Sequence, residues 1–137
     1  MTPEKVNFTL VSPEKLVLTD RVDMVVVPGS SGDFGVLPRH SALISTLRPG
    51  LVTIYRGDKK EFVFISAGFA NVTEKSCLVL GEDCEFVADM NLEELEKYAQ
   101  RLREEIEIAR TQKEIDELKK IHGITLLKLD LIRKLVH

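Results

Sequence analysis

The 137-residue chain has no apolar run near the ~20 residues that a membrane-crossing helix needs. Its start, Met1-Thr2-Pro3-Glu4-Lys5, lacks the apolar centre of an export signal and the Arg-rich, acid-poor character of a transit peptide. These absences lead to the expectation of a cytoplasm-like compartment, with no direct membrane insertion and any membrane association made through a partner. Only two cysteines occur, Cys77 and Cys84, and their spacing fits no zinc pattern. Both fall in strand-like sequence and read as buried free thiols. Basic residues form no stripe, and a net charge of −3 does not suit a nucleic-acid binder.

Signatures of chemistry are equally sparse. Gly29, Gly32 and Gly35 recur every three residues, but a phosphate loop leads through Lys-Ser/Thr into a helix, whereas this run continues into Val36-Leu37-Pro38. His40, His122 and His137 stand far apart and form no two-histidine helical motif. Glu82, Asp83, Glu85 and Asp89 offer carboxylates, which at the end of a strand region read as solvated surface. No Gly-x-Ser-x-Gly elbow is present. The expectation is a protein that is no enzyme and carries no metal and no cofactor.

What is present falls into two textures. A chain of this length buries roughly 68% of the surface its unfolded form exposes, enough for one core and an appendage. Through residue 88 it reads as closely spaced strands. Val6, Phe8 and Leu10 alternate with Asn7 and Thr9, and Ser12-Pro13 turns the chain into residues 15–19, where Leu16 and Leu18 share a face. Residues 22–27 are nearly all apolar, as suits a strand covered on both sides or one facing a partner. Residues 32–50, GDFGVLPRHSALISTLRPG, combine glycines that accept positive φ with prolines that fix it, which predicts a rigid tip with enforced reversals. Further strands flank turns at Arg56-Gly57-Asp58-Lys59 and Glu74-Lys75, and Glu85-Phe86-Val87 closes the set. About ten short strands predict an antiparallel β-sandwich.

From Asn91 onward there is no proline, and Gly123 is the single glycine. Asn91 with Glu94, and Thr111 with Glu114, are capping-box signatures of two helix starts. Leu92, Leu95, Ala99, Leu102, Ile106 and Ala109 form a narrow seam on the first helix. Ile115, Leu118, His122, Thr125, Leu129, Ile132 and Val136 do so on the second, where Ile121, Ile124, Leu127, Leu131 and Leu135 add an outer row. The short connection predicts an antiparallel helical hairpin over 89–137 behind a sandwich over 1–88, and the outer row wants another surface, the sandwich or a different protein. On the residues alone, a stand-alone sandwich that binds a ligand, with a helical dimerisation hairpin, is the alternative.

Gly32-Asp33-Phe34-Gly35-Val36-Leu37-Pro38-Arg39-His40, then Leu47-Arg48-Pro49-Gly50 and Phe64-Ile65-Ser66-Ala67-Gly68-Phe69-Ala70, resemble the epsilon subunits of the F-type ATP synthases. The resemblance covers essentially the whole chain. It implies a non-catalytic central-stalk subunit that couples proton translocation to ATP synthesis, peripheral at the cytoplasmic face of the bacterial inner membrane. The implied partners are the gamma subunit and the c-ring, with Asp33 and His40 at the c-ring end and the apolar run 22–27 and the strand around Phe69 on the gamma side. It further implies that the hairpin, when extended, reaches the alpha and beta subunits and inhibits ATP hydrolysis, with Lys119, Lys120, Lys128, Arg133 and Lys134 meeting an acidic surface. Some bacterial members bind ATP through Ile/Leu-Asp-x-x-Arg-Ala at the first helix. The matching Asn91, Glu94 and Leu95 depart from that motif, and a carboxylate replaces the arginine, so weak or absent nucleotide binding is expected.

Overall fold

The computed structural model describes residues 4–136, without the side chain of Val136; Met1 to Pro3 and His137, which figure in the sequence reading, lie outside the described residues. The chain divides into two compact units between Ala88 and Asp89. The first contains ten strands among the described residues. They are β1 (Val6–Val11), β2 (Leu16–Val22), β3 (Met24–Gly29), β4 (Gly32–Val36), β5 (Leu43–Leu47), β6 (Gly50–Arg56), β7 (Lys59–Ile65), β8 (Ala67–Val72), β9 (Ser76–Glu82) and β10 (Glu85–Phe86).

The strands follow one hydrogen-bonded path, β10-β7-β6-β3-β5-β8-β9-β1-β2, with β4 on the side of β3. The path curls over, so that β1 packs on β3 and β2 on β6, and the two layers enclose the core. β3 is the strand at which the layers meet. Met24, Val25 and Val26 pair with β6, whereas Gly29 pairs with Leu47 of β5. The alternation in β1 fills the space between the layers: Val6, Phe8 and Leu10 are buried, together with Val25, Val27, Val52, Ile54, Val63 and Ile65. Each such side chain contributes about 1.5–3 kcal/mol by leaving water.

Three readings of the sequence need correction. β1 and β9 run parallel in a sheet that is otherwise antiparallel, because a long crossover returns the chain beside its own start, and local alternation carries no information about strand direction. The apolar run 22–27 is not one strand. Val22 ends β2 and Asp23 interrupts the run, its carboxylate bonded by the Lys5 ammonium and the Gly57 N–H, before β3 begins at Met24. Leu16 and Leu18 do not share a buried face. An irregularity at Val11 pairs Leu10 with Leu18 but Val11 with Leu16, so Val17 and Leu18 pack on the core while Leu16 is 57% exposed.

Outside the core, Arg56 joins three strands, with Nε donating to Asp20 at 2.7 Å and Nη1 to Glu61 at 2.8 Å. After a single 3-10 turn (Val87–Asp89), the second unit forms α1 (Leu92–Ile108) and α2 (Gln112–Val136). Both starts are capped as the sequence predicts: Asn91 Oδ1 accepts from the Glu94 N–H at 3.1 Å, and Thr111 Oγ1 from the Glu114 N–H at 3.1 Å. The Glu114 carboxylate reaches back to the Arg110 N–H rather than to that of Thr111. The helices pack on each other, and Ala99, Leu102, Thr125, Leu129 and Ile132 of the two seams are buried.

Candidate functional site

The tip of the sandwich grows from the β3–β4 hairpin. Gly29 pairs with Gly32 across the two-residue loop Ser30-Ser31, and Gly32 has φ 138°, a conformation that side chains disfavour. The Ser30 hydroxyl donates to the Thr46 carbonyl at 2.9 Å, tying the loop to the end of β5. Arg48 closes the corner. Its guanidinium donates to the Gly29 carbonyl at 2.5 Å and to Asp33 Oδ1 at 2.6 Å, while its own N–H donates to the Pro28 carbonyl at 2.9 Å. One side chain thus joins β3, β4 and the segment after β5. The motif Leu47-Arg48-Pro49-Gly50 included Arg48 without a role for it; the one signal was a cation placed directly before a Pro-Gly turn, in a stretch whose other end carries Asp33.

His40 engages different partners. Its N–H donates to the Leu37 carbonyl, its Nδ1 lies 2.7 Å from the Ser41 carbonyl, and its ring centre is 6.4 Å from that of Phe34. Just before it, Arg39 donates its N–H to the Glu74 carbonyl at 2.8 Å, which fastens the segment to the β8–β9 turn. Asp33 and His40 are therefore both anchored on the β4 side, yet held by separate networks.

The outer face of the β5-β8-β9 layer carries exposed apolar side chains beside the polar Thr46 and Asn71. In register, Thr46 stands opposite Phe69 and Phe69 opposite Leu80, with Ile44 next on that face. Ile44 is 73% and Phe69 40% exposed, and Phe69 and Leu80 border a shallow cavity of about 280 Å³ with Val11 and Pro13. The expectation for Phe69 therefore finds an exposed surface. The run 22–27 does not offer one, since Val22, Val25 and Val27 lie in the core and Asp23, Met24 and Val26 are half-buried. Ile44 was overlooked, because its exposure follows from pairing and not from the local pattern.

On α2, Lys119 and Lys120 are exposed and Lys128 is half-buried. Arg133 donates to Glu96 of α1 at 3.0 Å, and Lys134 pairs with Asp130 at 3.0 Å on its own helix. Arg133 and Lys134 thus serve the hairpin itself. The outer row is the less covered one, with Ile121 41% and Leu135 38% exposed. His122 lies in the seam with no hydrogen-bond partner on Nε2 among the described residues. At the start of α1, Asn91 and Glu94 are exposed, Leu95 is half-buried, and the Glu94 carboxylate occupies the first turn.

The cysteines are both free, but only Cys77 is fully buried, with its thiol pushed up to about 12 by burial. Cys84 is half-buried: it packs against the edge of the core from the bend between β9 and β10, outside both strands, with its sulfur 3.4 Å from the Gly81 carbonyl. Its thiol is raised by burial and then by the charge of Asp83.

Residues 5–87 match the family described as ATP synthase, Delta/Epsilon chain, beta-sandwich domain. The chain is 44% identical over 136 residues to the ATP synthase epsilon chain of Rhodospirillum centenum, covering 94% of this chain and 92% of that one. The chain belongs to the ATP synthase epsilon-chain family. The epsilon chain of Parvibaculum lavamentivorans is 38% identical, with 98% of this chain and 97% of that one covered, so the relation extends through the helical hairpin. As a member, the chain is a non-catalytic subunit of the ATP synthase complex. Among solved structures, a chain of the Euglena gracilis mitochondrial ATP synthase, OSCP/F1/c-ring, superposes with a TM-score of 0.77 at 21% identity, covering 100% of this chain and 84% of that one. One from the Tetrahymena thermophila mitochondrial ATP synthase central stalk/c-ring gives 0.64 at 14% identity, with both chains covered fully. These two likenesses show that the fold described above recurs in chains of ATP synthase assemblies. Among the described residues, no helix is long and apolar enough to cross a membrane.

Proposed function

We propose that this epsilon-family chain is a central-stalk rotor subunit that couples proton translocation to ATP synthesis, its sandwich gripping the gamma subunit and its tip meeting the c-ring. The observation that carries the reading is the Arg48 clamp, which locks Gly29 and Asp33 into one corner. A corner fixed by charge-assisted bonds on three segments passes on a load without deforming. Asp33 and His40 are the polar contacts offered to the c-ring, and the exposed Ile44 and Phe69 are the apolar contacts offered to gamma. The peripheral position at the cytoplasmic face of a bacterial inner membrane follows from these partners.

The hairpin has a regulatory role in this reading. Its wide apolar arc suits two alternative resting places, one against the rest of the subunit and one extended toward alpha and beta subunits, where it inhibits ATP hydrolysis. Lys119, Lys120, Lys128, Arg133 and Lys134 then meet an acidic surface, Arg133 after leaving Glu96 and Lys134 after leaving Asp130. Glu94 repels phosphate where nucleotide-binding relatives carry arginine, so ATP does not hold the hairpin folded.

Three measurements test this. The chain co-purifies with a cognate gamma subunit, and its failure to do so in mild salt refutes the docking role. Deleting residues after Ala88 raises ATP hydrolysis by the reconstituted complex, and an unchanged rate removes the inhibitory role. Calorimetric titration of the isolated chain with ATP gives no binding heat, whereas micromolar affinity overturns the reading of Glu94.

A further inference from the structure

A cleft of about 390 Å³ opens at the end of the sandwich where β1 begins and β8 turns into β9. Its walls carry Lys5, Arg21, Arg39 and Lys75 against two carboxylates, Glu4 and Glu74. Four cations converge here in a chain whose net charge is −3. The backbone fixes where they stand. Asn7 pairs with Arg21 on one side and with Ser76 on the other, and its N–H donates to the Lys75 carbonyl at 3.0 Å, so Arg21 and Lys75 flank one strand of a rigid sheet. Arg39 is drawn in by its bond to the Glu74 carbonyl and has φ 67°, which an arginine adopts only where its surroundings enforce it.

The cations are unequally engaged. Lys5 is paired with Asp23, and Arg39 with Glu4 at 2.8 Å through two largely exposed side chains. Neither Arg21 nor Lys75 has a carboxylate partner among the described residues. We propose that this cleft binds a phosphate group. Free phosphate carries about −1.5 to −2 charges at neutral pH and presents several acceptor oxygens, which matches a guanidinium and an ammonium that form no ion pair among the described residues, with Glu74 as the nearby carboxylate and Arg39 available once Glu4 swings away. A carboxylate offers two acceptor oxygens in one plane, whereas a phosphate offers a tetrahedral set that reaches cations on more than one strand. The volume exceeds that of the ion alone, so either free phosphates or a phospholipid headgroup fit. Glu4 is the built-in competitor. The site uses none of the residues on which the rotor reading stands.

The test is an amide NMR titration of the full chain with inorganic phosphate and pyrophosphate, beside flotation with phosphatidylglycerol vesicles and with phosphatidylcholine vesicles. Saturable shifts at Lys5, Arg21, Arg39 and Lys75, or flotation with the anionic vesicles alone, support the site; the first assigns free anions and the second a headgroup. Arg21→Ala with Lys75→Ala, both exposed and away from the core, weakens either response by about tenfold or more, while Glu4→Gln strengthens it. No response in either arm, an equal response to acetate, or weaker binding by Glu4→Gln overturns the proposal.

Discussion

Replacing Gly123 with alanine isolates a pure backbone effect in the second helix. Gly123 lies inside α2 on its exposed side, and a Cβ built on it meets nothing within 4 Å. The new methyl therefore gains no packing and meets no obstacle. What remains is helix propensity, in which alanine exceeds glycine by about 0.8–1.0 kcal/mol. A change of 1 kcal/mol shifts a local opening equilibrium about fivefold. Amide hydrogen exchange followed by mass spectrometry on the full chain reads this directly: peptides from α2 exchange about fivefold more slowly in Gly123→Ala, and peptides from β6 and β7 are unchanged. Equal or faster exchange in α2 refutes the reasoning, since it means that the glycine is needed for a bend or a close approach. In the reconstituted complex the same variant favours conformations with an intact α2, so a change in hydrolysis rate reports how far the transition proposed above for the hairpin depends on melting at this point.

Other substitutions probe the sandwich. Gly68→Ala puts a Cβ 2.0 Å from the Leu80 carbonyl oxygen, backbone against backbone in the β8–β9 ladder, and lowers stability in denaturant by ~2–4 kcal/mol; a loss below 1 kcal/mol means that the ladder yields freely. Native Cys77 resists iodoacetamide at pH 8 and Cys84 reacts first, because burial raises both thiols and Cys77 further; rapid labelling of Cys77 before unfolding contradicts its place in the core. The Asp20 carboxyl is held below its ordinary 3.8 chiefly by the Arg56 hydrogen bond, and that of Asp23 chiefly by Lys5. A lowered folded-state pKa stabilises the fold above the unfolded value and loses that contribution as pH falls through the folded one. The denaturation midpoint of the chain therefore declines below pH 3.8, and Asp20→Asn with Asp23→Asn flattens that decline; identical pH profiles count against both ion pairs.

Much of the molecule was settled by its order of residues. The alternation Val6, Phe8, Leu10, the turn at Gly57-Asp58, and the caps Asn91 and Thr111 act within a few residues, and each appears where local physics puts it. The helical seams were legible for the same reason, since a period of three and four fixes which side chains align whatever the partner is. Sequence alone did not decide what depends on distant strands. The parallel pairing of β1 with β9, the break at Asp23, the exposure of Leu16 and Ile44, and the joining of Gly29 to Asp33 through Arg48 all arise where segments far apart in the chain meet. The cleft of Lys5, Arg21, Arg39 and Lys75 is the extreme case, because residues scattered over some seventy positions converge only after the sheet has curled, and no local window contains that charge.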